Sequence, residues 1–241
     1  MIHDDFVDQD TARRNSPATW TLAGARRAVL LGDVIFAAAI KMMNDLSRED
    51  GMVIAHAIAQ VSRGAFCETL NPISLIGEIE SNRLNGELYE KIIRLKTGTL
   101  FGAACQLGAI AAGARAELGQ GFHRYGSRIG EAYQIADDLQ EVKQHILTRS
   151  IRPDEIAVLT PTFLYFVKEV RPYLPRLLEG ECLDLDGVLL EYFRVAKRLM
   201  EFEIERRLLS AVAEIEDLQC NEYSELARTA PWDLIEMING P

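Results

Sequence analysis

The chain has 241 residues, 48% of them hydrophobic, enough for a substantial core in one large helical domain or two small ones. Its net charge of −10 argues against nucleic acid as a partner and against electrostatic docking on anionic membranes. The four cysteines, Cys67, Cys105, Cys182 and Cys220, are widely spaced and form no C-x-x-C pair, so zinc and redox motifs are unsupported. Reduced, buried cysteines in a cytoplasmic protein are the expectation. The first residues are acidic and do not read as a signal peptide. The longest uncharged stretch, 97–114, is rich in Gly and Ala and contains Gln106, which makes it a buried, closely packed helix and not a membrane span.

Residues 2–12 read as helical, a stretch that Asn15-Ser16-Pro17 breaks. A helix is predicted over 21–44; its Val29-Leu30-Leu31 and Val34-Ile35-Phe36 are apolar all round, which predicts burial, with Asp33 a hydrogen-bonded structural residue. Ser47 reads as the N-cap of the next helix, with acids in its first turn, ending near Asn71-Pro72. Segments 74–85 and 87–94 are helical with Gly86 as the joint. The helix from Lys96 to about 116 follows, and Gly119-Gln120-Gly121 separates it from the helix carrying Tyr125, Ile129, Tyr133 and Val142. Arg152-Pro153-Asp154 and Thr160-Pro161-Thr162 read as turns that start helices. Helices are predicted at about 162–171, 173–180, 187–217 and 221–237. Strand-like alternation is almost absent, so the expected architecture is a single all-α bundle domain over 1–241.

Two acidic clusters share one spacing. Asp4, Asp5 and Asp8, in His-Asp-Asp-Phe-Val-Asp, stand at i, i+1 and i+4; so do Asp137, Asp138 and Glu141, in Ala-Asp-Asp-Leu-Gln-Glu. On a helix i and i+4 lie one turn apart on one face, with i+1 beside them. Each cluster is thus a compact patch of three carboxylates. Like charges at i,i+4 cost about 0.2–0.5 kcal/mol per pair on an exposed helix. Either patch alone reads equally as a solvated acidic face. Two of identical spacing point to divalent cations, and Mg²⁺ typically takes one or two carboxylates plus phosphate oxygens. Cations stand nearby in the sequence: Arg13-Arg14 after the first cluster, and Lys96-Thr97 at the head of the small-residue helix. Gln134 precedes the second cluster in an otherwise apolar turn.

His3-Asp4-Asp5-Phe6-Val7-Asp8 with Arg13-Arg14, Leu31-Gly32-Asp33, Lys96-Thr97 and Tyr133-Gln134-Ile135-Ala136-Asp137-Asp138 resembles the polyprenyl synthetase family, the trans-isoprenyl diphosphate synthases, in the family's own order from about residue 2 to 143. Beyond residue 145 the sequence resembles only generic helices. The resemblance implies an isoprenoid-synthase-like helical bundle and a Mg²⁺-dependent prenyltransferase that condenses an allylic prenyl diphosphate with isopentenyl diphosphate. It assigns metal binding to Asp4, Asp5, Asp8, Asp137, Asp138 and Glu141, with Asp5 and Asp138 as ligands or as acceptors behind them. It assigns the allylic diphosphate to Lys96, Arg13 and Gln134, with Thr97 beside them, and isopentenyl diphosphate to Arg14. It also implies that residues 2–12 are the C-terminal part of a helix, and that the protein is a homodimer or heterodimer.

The chain departs from the family in three ways. Glu141 replaces the usual final Asp of the second motif. Gln144 to Arg149 stands where relatives carry a Gly-Lys region. Relatives have several helices before the first motif, which supply further isopentenyl diphosphate ligands, whereas Asp4 is the fourth residue here; the bundle is therefore expected to be N-terminally truncated. The active protein is expected to start upstream, with Met1 an internal methionine, or to receive those helices from a partner. A class I terpene cyclase, or a non-catalytic subunit of a heterodimeric synthase, stays open; retention of both clusters, Arg13-Arg14 and Lys96 weighs against the latter.

Overall fold

The structure, a computed structural model, describes residues 2–7, 10–13, 16–68, 87–153 and 156–239. The predicted segment 74–85 and its flanking Asn71-Pro72 and Gly86 lie outside the described residues, as do Asp8, Arg14 and Asp154. The chain divides into two compact units, residues 1–59 and 60–241.

The first unit begins with α1 (Ile2–Val7), shorter than the 2–12 predicted, followed by a two-stranded antiparallel ribbon of β1 (Ala12–Arg13) and β2 (Ser16–Pro17). Then come α2 (Thr19–Ala23), α3 (Ala25–Leu46) and the start of α4 (Arg48–Glu68). Gly24 takes φ +82° between α2 and α3, a backbone state costly for residues with a Cβ. The predicted cap of α4 is present: Ser47 Oγ accepts the Asp50 backbone N–H at 3.0 Å, and its hydroxyl donates to Asp50 Oδ2 at 2.6 Å. The predicted burial of α3 does not hold. Only Ala28 and Gly32 are buried, while Leu30, Leu31, Val34 and Ile35 are exposed and Asp33 lies at the surface. Within this unit the helix is covered by α1 and α2, of six and five residues, which shield only a strip of a 22-residue helix.

The second unit is built on α7 (Ala116–Thr148). Ahead of it come the C-terminal part of α4, α5 (Glu87–Ile93), one π-helical turn (Arg94–Gly98) and α6 (Thr99–Ala111). The reversal into α7 occurs at 112–115, with Gly113 at φ +71°, and α7 runs straight through Gly119 and Gly121, where sequence punctuation predicted a break. Neither glycine is demanded by a neighbour: a Cβ on Gly119 would meet nothing within 4 Å, and one on Gly121 would make ordinary contact with the Glu214 carbonyl at 3.4 Å. The α6–α7 crossing is tighter. A Cβ on Gly126 would lie 2.4 Å from the Phe101 carbonyl oxygen, and one on Gly130 would lie 2.9 Å from Gly98 Cα. The small residues of 97–114 therefore serve backbone-to-backbone contact here, which brings the π-turn directly against α7.

After β3 (Ser150–Ile151), α8 (Ile156–Phe166) contains Pro161, where a helix start was predicted. A proline in a helix interior forfeits one backbone hydrogen bond; burial of Phe163, Leu164 and Phe166 on the following turn outweighs that loss. A 3-10 turn (Lys168–Tyr173), α9 (Leu174–Leu178) and β4 (Leu183–Asp184) follow, and β4 pairs antiparallel with β3. The chain closes with α10 (Gly187–Ala213) and α11 (Glu222–Asn239). The buried face of α10, with Phe193, Ala196, Met200, Ile204, Leu208 and Ala211 at helical spacing, packs on α7. Phe163 and Phe193, with ring centroids 5.4 Å apart, join Ile93, Ile135, Leu139 and Val142 in one core. Tyr125 and Ile129 of α7 form a second cluster with Ala211 and Ile215, and the Tyr125 hydroxyl donates to the Ala227 carbonyl at 2.6 Å.

Candidate functional site

The first acidic motif lies on α1. His3 fastens that helix to α3: its Nε2 is 2.8 Å from the Val29 carbonyl and 3.3 Å from Asp33 Oδ1, and its ring packs on Phe36 at 5.2 Å. Gly32 lies beneath the ring, and a Cβ there would displace the imidazole from this position. Phe6 meets Trp20 of α2 edge-on at 6.0 Å. Asp5 is buried and accepts a charge-assisted hydrogen bond from Arg13 Nε; Arg13 Nη2 lies 3.6 Å from both Asp4 Oδ2 and Asp10 Oδ2. The ribbon therefore exists to turn Arg13 back onto the motif. Asp4, Asp5 and Arg13 are brought together; Asp8 and Arg14, assigned to the same site by sequence, lie outside the described residues.

The second motif lies in the middle of α7. Asp137 and Glu141, one turn apart, are exposed, and Asp138 is half-buried. A chain of hydrogen bonds ties the motif to the π-turn. Thr97 Oγ1 donates to Gln134 Oε1 at 2.7 Å, and Gln134 Nε2 donates to Asp138 Oδ1 at 3.0 Å. Asp138 Oδ2 accepts the Tyr89 hydroxyl at 2.6 Å and that of Thr162 at 3.4 Å. Tyr89 is 2% exposed; burial first, then the charge of Asp138, pushes its pKa well above the usual tyrosine range, so it stays a donor. Partial desolvation raises the Asp137 pKa, and Lys96, the positive charge acting on it, opposes that rise. The π-turn places Lys96: its extra residue is accommodated by Thr99, whose N–H and hydroxyl both donate to the Arg94 carbonyl, and Gly64 of α4 lets that helix lie against the Lys96 backbone.

Behind the π-turn is an ion cluster. Arg207 of α10, 2% exposed, donates from Nη2 to both Glu90 oxygens at 2.7 and 2.8 Å, and its Nη1 lies 3.5 Å from the buried Glu131 of α7. Tyr165 donates to Glu90 at 2.6 Å, and Glu203 lies 3.7 Å from Arg207. Sequence reasoning missed Tyr89, Glu90, Glu131, Thr162 and Arg207. Only Arg207 left a signal: it interrupts the apolar run Ile204, Leu208, Ala211 on the buried face of α10.

Hard carboxylate oxygens are the donor type that Mg²⁺ requires, and the partly desolvated Asp137, spaced i,i+4 from Glu141, fits such a cation. Among the described residues, no three His, Cys, Asp or Glu side chains converge as a complete ligand set, so water and phosphate oxygens would complete the coordination. No helix among the described residues is long and apolar enough to cross a membrane.

The polyprenyl synthetase family model matches residues 1–148. A geranylfarnesyl diphosphate synthase of Aeropyrum pernix is 38% identical over 149 residues, 58% of this chain and 44% of that protein. A dimethylallyltranstransferase of Mycobacterium tuberculosis is 33% identical over 179 residues, 74% of this chain and 53% of that protein. The chain spans about half the length, or less, of the curated relatives it matches. In structure, a decaprenyl diphosphate synthase from Rhodobacter capsulatus matches with a TM-score of 0.74 at 21% identity, over 98% of this chain and 74% of that one. A heptaprenyl diphosphate synthase from Staphylococcus aureus gives 0.71 at 17%, over the same shares. The structural match includes α8 to α11, beyond the residues that the family model matches. This chain has the all-α isoprenoid synthase fold and belongs to the polyprenyl synthetase family.

Proposed function

We propose that the chain belongs to a Mg²⁺-dependent prenyl diphosphate synthase whose two acidic motifs serve the allylic diphosphate. The observation that carries this reading is the hydrogen-bonded line Thr97–Gln134–Asp138, which fixes the Lys96 turn against the second motif. Asp4, Asp8, Asp137 and Glu141 would hold Mg²⁺, whose charge would stabilise the departing diphosphate. Lys96 and Arg13 bind the same diphosphate, and the hydrogen bond from Thr97 holds the side-chain amide of Gln134 in place beside it. The allylic C–O bond breaks, the double bond of isopentenyl diphosphate forms the new C–C bond, and a proton is lost to the released pyrophosphate. Arg14 holds the isopentenyl diphosphate. The working protein is a cytoplasmic dimer.

The test is incubation with Mg²⁺ and farnesyl diphosphate, with and without isopentenyl diphosphate, followed by extraction. A longer diphosphate, made only when isopentenyl diphosphate is present, is expected. A hydrocarbon or alcohol made without it would replace this reading with a cyclase. No turnover in either incubation, with the chain alone or with a partner synthase subunit, would leave a non-catalytic subunit. Arg14→Ala is expected to abolish elongation while sparing hydrolysis of the allylic substrate.

A further inference from the structure

Asp138 is surrounded by donors. Both of its oxygens are engaged: Oδ2 by Tyr89 and Thr162, Oδ1 by Gln134. Its immediate neighbour Asp137 and the residue one turn on, Glu141, are exposed. On a helix, positions 137 and 141 share a face about 100° from the face that 134 and 138 share. The first face meets solvent; the second meets the π-turn and α5. The hydroxyl–carboxylate contact from Tyr89 is short and charge-assisted, the stronger class of hydrogen bond. Tyr89 is itself immobilised, with Tyr165 and Phe166 packed on its ring at 5.2 and 5.3 Å.

We propose that Tyr89 is a positioning residue of the second acidic motif: by holding Asp138 as a hydrogen-bond acceptor, it fixes the rotation of α7 at the motif and leaves Asp137 and Glu141 as its cation-facing carboxylates. Tyr89 touches no reacting group; it acts through Asp138, and Asp138 acts through Gln134 on Thr97. Partners behind metal ligands orient them, and their loss typically costs 10–100-fold in affinity. This role presupposes that the second motif binds a metal–diphosphate complex.

The experiment titrates Mg²⁺ with inorganic pyrophosphate by calorimetry into the wild type and into Tyr89→Phe, Asp138→Asn, their double variant, Asp137→Asn and Tyr165→Phe, with thermal unfolding run on each. Tyr89→Phe keeps the ring and is expected to weaken pyrophosphate binding about 10–100-fold. The double variant is expected to bind no more weakly than Asp138→Asn, because both substitutions break one contact. Tyr165→Phe, a hydroxyl loss from the same aromatic cluster, is expected to bind as wild type. Wild-type affinity in Tyr89→Phe, additive losses in the double variant, or an equal loss in Tyr165→Phe would each overturn the inference. Asp138→Asn decides if Tyr89→Phe does not fold: a loss as large as that of Asp137→Asn would make Asp138 a ligand and overturn it, and a smaller one supports it. A wild type that does not bind Mg²⁺–pyrophosphate, or an Asp137→Asn variant that binds it normally, would instead remove the site itself, and this inference with it.

Discussion

The two acidic motifs have the same spacing and opposite treatment. On α1, six residues long, the protein supplies a cation: Arg13 folds back through a ribbon to neutralise Asp5 and approach Asp4. On α7, 33 residues long, it supplies mostly neutral donors: Asp138 is held by two hydroxyls and an amide, while Asp137 keeps a raised pKa, a rise that Lys96 opposes. Helix length accounts for the difference. A six-residue helix has few backbone bonds of its own and depends on side-chain ties for its position, so an ion pair doubles as a fastening. A long helix with a buried face is placed by its packing, so neutral donors suffice to set the rotation of its motif. Spacing alone does not specify how a carboxylate is used; its donors do.

The largest effect should come from the scaffold of the second motif. Arg207→Met would leave Glu131, whose side chain is 6% exposed, without the buried cation, at a cost of about 3 kcal/mol. Urea unfolding measures it. A neutral result would mean that Arg128, 3.3 Å from Glu131, suffices, and that the second motif is less dependent on α10 than its geometry implies. Next in size, Asp137→Asn should lower Mg²⁺–pyrophosphate affinity on the order of 100-fold, since a ligand is worth at least what its supporting partners are. Asp4→Asn should lose less, because Arg13 already balances that motif. Equal losses would break the comparison.

Much of this was legible in the sequence. The acid spacing, Lys96-Thr97, the Ser47 cap and the long amphipathic α10 follow from local pattern, and local pattern is what a single sequence displays. Burial of α3 did not follow, because apolar periodicity reports what a helix can bury and not what lies beside it. The run of α7 through Gly119 and Gly121 was hidden because glycine punctuates loops but is also tolerated inside a long helix that packing holds, as α10 holds α7 here. Tyr89 was invisible for the same reason: 49 residues from Asp138, it reads as one more apolar-face aromatic until the fold supplies its partner.

Arg13→Met tests the first motif from the other side. It leaves Asp5, 8% exposed at the side chain, facing no guanidinium, but Arg13 is itself 35% exposed and solvent screens part of the pair. A loss of about 1–2 kcal/mol is expected, confined to residues 1–59 and read by hydrogen exchange across α1 and α3. Exchange that speeds up only at α1 would mean that Arg13 fastens the motif alone. Unchanged exchange would mean that His3 and Phe6 hold α1 without it.

The smallest effect separates the motifs by sign. Desolvation holds the folded-state pKa of Asp137 above its ordinary value of 3.8. At pH below that value both folded and unfolded chains carry the proton, and Asp137 costs nothing. As the pH rises the unfolded chain releases its proton first, so the folded state loses stability until the pH passes the raised folded value. In chelator, wild type should therefore fall in stability relative to Asp137→Asn across that window and run parallel to it above. Mg²⁺ with pyrophosphate should invert the trend, because a bound cation favours the carboxylate and its binding strengthens as the proton leaves. Thermal unfolding of the two proteins across the acid range, with and without Mg²⁺–pyrophosphate, reads both slopes. A difference that does not respond to the cation would mean that Asp137 is an ordinary desolvated carboxylate and that the second motif does not take the cation.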